Sequence, residues 1–221
     1  MLKKRSSILP PKNIAPLIFE KTKDGEILYD VYSRLQKERI IFLSEEIDAD
    51  VGTSIAATLL WLDHQSDKDI SLYINTAGGT ISDGLFTIYD TMQYIKSPIQ
   101  TVVIGEAYSA GAVILAAGSP GKRMAFPNSE IMLHEVQTEI GGSGSEIEKQ
   151  SKRLQKMGDI LYEIIARHTG QTLDKIKEDC SEDFFLTAKE ALAYGIIDKI
   201  VKPFKQSLPL KTLKKRAKRV S

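Results

Sequence analysis

The chain has 221 residues, 42% of them hydrophobic and 27% charged, with a formal net charge of +1 at pH 7. This is an ordinary soluble globular composition, long enough for one domain with a sizeable core or two small ones, and it excludes a dedicated nucleic-acid binder, whose surface would be basic throughout. One cysteine, Cys180, excludes an internal disulfide and suits a reducing compartment, so a cytoplasmic location is expected; three histidines without Cys pairs leave no metal-ligand spacing.

The first segment, MLKKRSSILPPKNIAP, has a basic start but no apolar core, so it does not read as a secretory signal. With Pro10, Pro11 and Pro16 it reads as an irregular arm over residues 1–18. No apolar run approaches the ~18 residues of a membrane span. RIIFL (39–43) then reads as a strand, and DADVGTSIAATLLWLDHQ (48–65) as a helix with Val51, Ile55, Leu59, Leu60 and Leu62 on one side. ISLYI (70–74) is the next strand and ends at NTAGGT. Ser82 is the expected cap of a helix in which Leu85, Phe86, Ile88, Tyr89, Met92 and Ile95 recur at helical spacing. TVVIG (101–105) is a third strand, SAGAVILAAG (109–118) a small-residue helix, and KRMAF (122–126) and EIMLHEV (130–136) further strands. Strands alternating with helices through short connections predict an α/β layered fold with a largely parallel sheet.

GGSGSEIE (141–148) is a glycine loop that closes on a capping box, read as Ser145 with Glu148. Ile147, Leu154, Met157, Leu161, Ile164, Ile165 and His168 mark one face of the helix that follows, on the order of 35 Å long and ending at Gly170. Its apolar stripe lies beyond the strand run and needs a cover; another subunit is the natural one, so an oligomer is expected. Thr187 and Glu190 form a second capping box before a short helix ended by Gly195, and IIDKIV (196–201) is the last strand candidate. From Lys202 onward the chain carries lysines and arginines and no acid, and reads as a solvated, disordered tail over residues 202–221.

The stretch GEAYSAGA (105–112) holds a serine between small residues where a strand gives way to a helix. It fails the G-x-S-x-G pattern because position 107 is Ala. Ser109 is therefore either a helix cap or a nucleophile whose small neighbours let a substrate backbone come close. Of the histidines, His64 falls at the polar end of a helix. His168 lies near a helix C-terminus, where a cation suits the dipole. His134 ends a strand, where open α/β sheets gather their site residues, and is either a general base or a satisfied strand-end residue. Gly78-Gly79 lack the residues of a nucleotide-binding loop and make either a tight turn or an oxyanion hole. The carboxylate that would orient a histidine cannot be picked from so many Asp residues.

YDVYSRLQKERIIFL, KDISLYINTAGG, IYDTMQYIK, SAGAVILAAGSPGKRMAFPNSEIMLH and LTAKEALAYGIIDKI together resemble the proteolytic subunit of the Clp protease, ClpP, from about Pro16 to Val201. The resemblance implies a ClpP-like peptidase domain over 19–201 with a crotonase-like α/β fold of repeated β-α units, a head domain and a protruding handle helix, the handle region lying at about 137–170. It implies a serine endopeptidase without metal or cofactor, assembled as two stacked seven-membered rings, with the N-terminal arm as an axial loop. The family's triad falls on Ser109, His134 and Asp183, and its oxyanion donors on the backbone N–H groups of Gly79 and Ala110. A hexameric AAA+ unfoldase of the ClpX or ClpA/ClpC type would dock at Tyr73, Tyr94 and Met124. The chain departs from the family pattern in several places. NTAGG replaces NSPGG, the following helix is one residue longer, Ala110 stands where Met is usual, and Glu135-Val136 replaces Gln-Pro. Glu182 stands where the family has an Arg that pairs between rings. These departures point to a divergent paralogue, weakly active alone and assembling with a second ClpP-type subunit, or to a structural ring subunit of a mixed complex. A crotonase-type acyl-CoA enzyme is the other class with this fold and an oxyanion hole.

Overall fold

In the computed structural model, residues 16–23, 25–138 and 141–202 are described. Most of the N-terminal arm, residues 1–15, and nearly all of the basic tail, residues 203–221, lie outside them. The arm expected over 1–18 ends earlier, because Leu17 and Ile18 already belong to β1 (Leu17–Thr22), which pairs antiparallel with β2 (Gly25–Asp30). Asp30 accepts from the backbone N–H groups of Tyr32 and Ser33 and so starts α1 (Val31–Gln36).

The body is a seven-stranded, mostly parallel sheet. Its main path runs through β3 (Ile40–Leu43), β4 (Ile70–Thr76), β5 (Ile99–Tyr108), β6 (Arg123–Ala125) and β9 (Lys199–Ile200), all parallel. The chain is thus the mixed α/β fold that the alternating strand and helix patterns predict. Ile41, Leu43, Ile70, Leu72 and Ile74 alternate into the core, where Leu59, Leu62, Ile88, Ile114 and Leu115 are also fully buried. Leu59 and Leu62 come from α2 (Ala49–Gln65); Leu60, expected on the same side, is 45% exposed. The apolar stripe of α2 is narrower than the sequence suggested.

Ten-residue β5 forks the sheet. Its first half pairs with β6, while Glu106, Ala107 and Tyr108 pair with β7 (Glu130–Leu133), which in turn carries the antiparallel edge strand β8 (Phe184–Thr187). The pairing of β4 and β5 shifts register between Ile74 and Thr76, and there the Asn75 side chain accepts the Glu106 N–H in place of a backbone carbonyl. The fork opens at the end of β5 where Ser109 follows.

Two helix starts differ from the sequence reading. Ser82 caps nothing; it lies inside a π-helical turn, Ile81–Leu85, whose N-cap is Thr80. The Leu85 N–H bonds to the Thr80 carbonyl and the Phe86 N–H to the Ile81 carbonyl, and α3 (Phe86–Tyr94) continues from there. A π-turn is how a helix absorbs one extra residue without shifting the face it buries. The long helix α5 (Gly144–Thr169) opens with a capping box of Ser143 and Glu146, not Ser145 and Glu148. Its C-terminal half packs on the body through Leu161, Ile164 and Ile165; toward the N-terminus Leu154 and Met157 are partly buried and Ile147 is exposed, so the cover of the stripe thins along the helix.

The base of α5 is pinned by Arg123, itself only 8% exposed. Its guanidinium donates to the His168 carbonyl at 2.7 Å and to both Asp198 carboxylate oxygens at 3.0 and 2.7 Å. His168 is not the helix-end cation expected. Burial, with Arg123 and Arg167 nearby, holds its pKa below the usual imidazole value, and its Nε2 meets the Tyr89 hydroxyl at 3.1 Å. Gly170, in the left-handed region at φ 76°, ends α5 as expected. Then follow α6 (Leu173–Asp179) and α7 (Ala188–Tyr194), the latter opened by the Thr187–Glu190 capping box and ended by Gly195.

Candidate active site

Ser109 stands between β5 and α4 (Ala110–Ala116) with φ 51° and ψ −119°, a strained backbone for a non-glycine residue. The strain is held from both sides. The Ser109 N–H donates to the Met132 carbonyl of β7 at 2.9 Å, and the Ser109 carbonyl accepts from the N–H groups of Ala112 and Val113. Its hydroxyl makes no capping hydrogen bond. The backbone of Ser109 starts the helix, and the side chain is left over. Such a sharp strand-to-helix turn is the local geometry of a presented nucleophile, reached here with Ala107 in place of the first glycine of G-x-S-x-G.

The Gly78-Gly79 segment lies directly against this turn. It is held by the Ile47 N–H donating to the Gly78 carbonyl at 2.8 Å and the Thr80 N–H donating to the Ile47 carbonyl at 2.7 Å. Thr76, just before it, accepts the Gly78 N–H with its hydroxyl oxygen and donates to the Glu45 carbonyl. A Cβ on Gly78 would stand 2.8 Å from Ser109 Cβ, so only glycine lets the two backbones approach this closely. The N–H groups of Gly79 and Ala110 donate to no group of the described protein. Two unengaged amides beside a side chain with a free hydroxyl are the elements of an oxyanion site.

His134 and Asp183 both follow the end of one strand pairing. The last pair of the β7–β8 ladder is Leu133 opposite Phe184. His134 is the next residue on one strand and Asp183 the next on the other, although 49 positions separate them in sequence. His134 Nδ1 is buried and has no hydrogen-bond partner among the described residues. Asp183 is exposed, and the three side chains make no hydrogen bond with one another in this structure. Ser109, His134, Gly79 and Ala110 line one cavity of about 750 Å³, whose far wall comes from α5 through Leu154, Met157 and Leu161. That wall was not foreseen as part of the site. The stripe was visible in the sequence, but its periodicity says only that something covers it.

Tyr73 and Met124 share a register row across the sheet with Phe42 and Val102, and the Tyr73 ring stacks on Phe42 at 5.2 Å between centroids. Tyr94 is 81% exposed at the end of α3, with no ring contact to either. Glu135, Glu182 and Asp183 are exposed, whereas Val136 is partly buried against the core. Cys180 is fully buried; burial and the neighbouring Asp179 push its thiol up to about 12.

A family model described as Clp protease matches residues 23–204, and the chain belongs to that family. Membership makes it a ClpP-type peptidase at the family level and implies a ring-forming oligomer that works with an ATPase. Among the described residues, no helix is long and apolar enough to cross a membrane.

Proposed function

We propose that this chain is a serine endopeptidase subunit of a barrel-shaped Clp protease, acting on polypeptides that a separate AAA+ ATPase unfolds and delivers. The observation that carries the reading is the strained, non-capping Ser109 flanked by the free amides of Gly79 and Ala110, with His134 lining the same cavity. Ser109 Oγ attacks the peptide carbonyl as His134 Nε2 takes its proton. The carbonyl oxygen, now negative, is held by the two N–H groups. Collapse expels the amine, which leaves with the proton from His134. Water then attacks the acyl-enzyme by the same relay and returns Ser109 to its starting state. Asp183 accepts from Nδ1 and fixes the tautomer. The partnerless Nδ1 supports this role, and turnover requires the carboxylate to close onto it. No cofactor takes part.

Tyr73, Tyr94 and Met124 are assigned to unfoldase docking, of the ClpX or ClpA/ClpC type, on stacked seven-membered rings in the cytoplasm. Replacing Ser109 by Ala should abolish peptidase activity and fluorophosphonate labelling while leaving the assembly intact by native mass spectrometry. Persistence of either signal refutes the assignment.

A second reading, a catalytically weak or structural subunit of a mixed ring with a second ClpP-type chain, is favoured by the open triad and by Glu182. It predicts no labelling of Ser109 in the purified chain, and a stable, fully active double ring formed by this chain alone removes it.

A further inference from the structure

An aromatic contact ties the strand of the proposed nucleophile to the strand of the proposed acid. Tyr108 is the last residue of β5, immediately before Ser109; Phe185 lies in β8, two residues after Asp183. In register, Tyr108 is opposite Met132 of β7, and Met132 is opposite Phe185. The three side chains therefore fall in one row on one face of the sheet. The rings of Tyr108 and Phe185 meet across Met132 with centroids 5.8 Å apart and planes at 89°, the edge-to-face geometry that aromatic quadrupoles favour. The Tyr108 hydroxyl donates to Glu130 Oε2 at 2.5 Å, which fixes the direction of the ring. That hydrogen bond, with burial and the nearby carboxylates, pushes the phenol pKa up, so Tyr108 stays protonated and remains the donor.

The consequence follows from topology. β8 is an edge strand whose ladder partner is β7. Its pairing stops at Phe184, so Asp183 is the first residue that the ladder no longer holds. The ring pair is a direct tie from β8 to β5 that bypasses β7. Phe185 is 50% exposed, so burial in the core does not account for an aromatic at this position. A carboxylate–imidazole hydrogen bond weakens steeply once it is longer or more bent than usual, and the His134–Asp183 bond is open here.

We propose that Tyr108 and Phe185 are positioning residues of the hydrolytic site: their edge-to-face contact sets the distance of the Asp183 strand from the Ser109 turn, and so governs whether the Asp183 carboxylate reaches His134 Nδ1. The proposal rests on the reading of Ser109, His134 and Asp183 as the triad. Neither ring is assigned a contact with substrate, so their effect runs through Asp183.

The test uses the full-length chain in the assembly it forms. Phe185→Ala, Tyr108→Ala and Tyr108→Phe are made in the wild-type chain and again with Asp183→Asn. Each is read by the rate of Ser109 labelling with a fluorophosphonate and by kcat and KM on a short fluorogenic peptide. In the wild-type background, losing either ring should lower kcat by about ten- to a hundredfold with KM within about twofold, the signature of misplaced catalytic groups. Tyr108→Phe keeps the ring and loses one hydrogen bond, so it should cost less than about tenfold. With Asp183→Asn already present, the ring substitutions should cost nothing further, because the group they position is gone. A general structural defect would instead lower activity by the same factor in both backgrounds, and that result overturns the proposal, as does a wild-type rate in Phe185→Ala. Where Phe185→Ala does not assemble, Phe185→Leu keeps an apolar side chain without the ring and must reproduce the loss. An Asp183→Asn chain with undiminished labelling and turnover refutes the triad itself, a failure distinguishable from failure of the clamp alone.

Discussion

Replacing Gly79 by Ala tests the oxyanion assignment through a clash whose size can be read from the backbone. A Cβ at this position would stand 2.2 Å from the Ile47 carbonyl oxygen and 2.6 Å from the Ile47 nitrogen. These are main-chain atoms and cannot swing aside, so the two segments must separate by about 1 Å to restore an ordinary contact. The separation strains the two hydrogen bonds between them, Ile47 N–H to the Gly78 carbonyl at 2.8 Å and Thr80 N–H to the Ile47 carbonyl at 2.7 Å. At about 0.5–1.5 kcal/mol each, their loss costs about 1–3 kcal/mol of stability. The same movement draws the Gly79 N–H away from the developing oxyanion, and loss of one such donor lowers kcat by about 10²–10³. KM should change little, since the bond strengthens only in the transition state. Steady-state peptidase kinetics beside size-exclusion chromatography separate the two effects. A Gly79→Ala chain that assembles normally and keeps more than half of the wild-type kcat refutes the placement of this amide in the oxyanion site.

Further outcomes are expected elsewhere in the fold. Asp198→Ala leaves the buried Arg123 guanidinium without its carboxylate and should destabilise the chain by about 3–5 kcal/mol in urea denaturation at fixed subunit concentration. Arg123→Met with Asp198→Leu should be less damaging than that single change, because no charge is left buried alone. His168 has a folded pKa held below its usual value by burial and by Arg123 and Arg167, so the unfolded chain takes up the proton first. Its contribution is therefore full above about pH 6.5 and declines as the pH falls from there toward the folded pKa; denaturation midpoints compared at pH 7.5 and 5 should drop more for the wild type than for His168→Phe. Asp198, whose burial is outweighed by the hydrogen bonds from Arg123, is also depressed. Its contribution is lost only at more acid pH, below the ordinary carboxylate value of about 3.9. Cys180, with its thiol at about 12 and fully buried, should resist iodoacetamide at pH 8 in the native assembly and react on unfolding; rapid native alkylation contradicts its placement.

Much of the architecture is written in local pattern. Ile70, Leu72 and Ile74 alternate in β4 because one face of that strand meets the core, and the capping pair Thr187–Glu190 and the terminal glycines Gly170 and Gly195 bound their helices as read. Where two local readings were equally good, the pattern could not choose. Both S-G-S-E at 143–146 and S-E-I-E at 145–148 satisfy a capping box, and α5 uses the earlier one, Glu146 Oε2 accepting from the Ser143 N–H at 2.7 Å. The β1–β2 hairpin, α6 and the edge strand β8 carried too weak an alternation to be seen, and the extra residue after Gly79 gave no hint that a π-turn would absorb it.

The site divides along the same line. Ser109 at a strand-to-helix junction, His134 at a strand end and the paired glycines were visible as candidates, because each is a local event in the chain. That His134 and Asp183 follow the end of one ladder was not, since it depends on Leu133 facing Phe184 across a ladder between distant segments. The unpaired state of Nδ1, the free hydroxyl of Ser109 and the contact of Tyr108 with Phe185 belong wholly to the tertiary structure. Periodicity records which face of an element is dry. Which atoms meet across that face is fixed by register and packing between parts of the chain that no local rule connects.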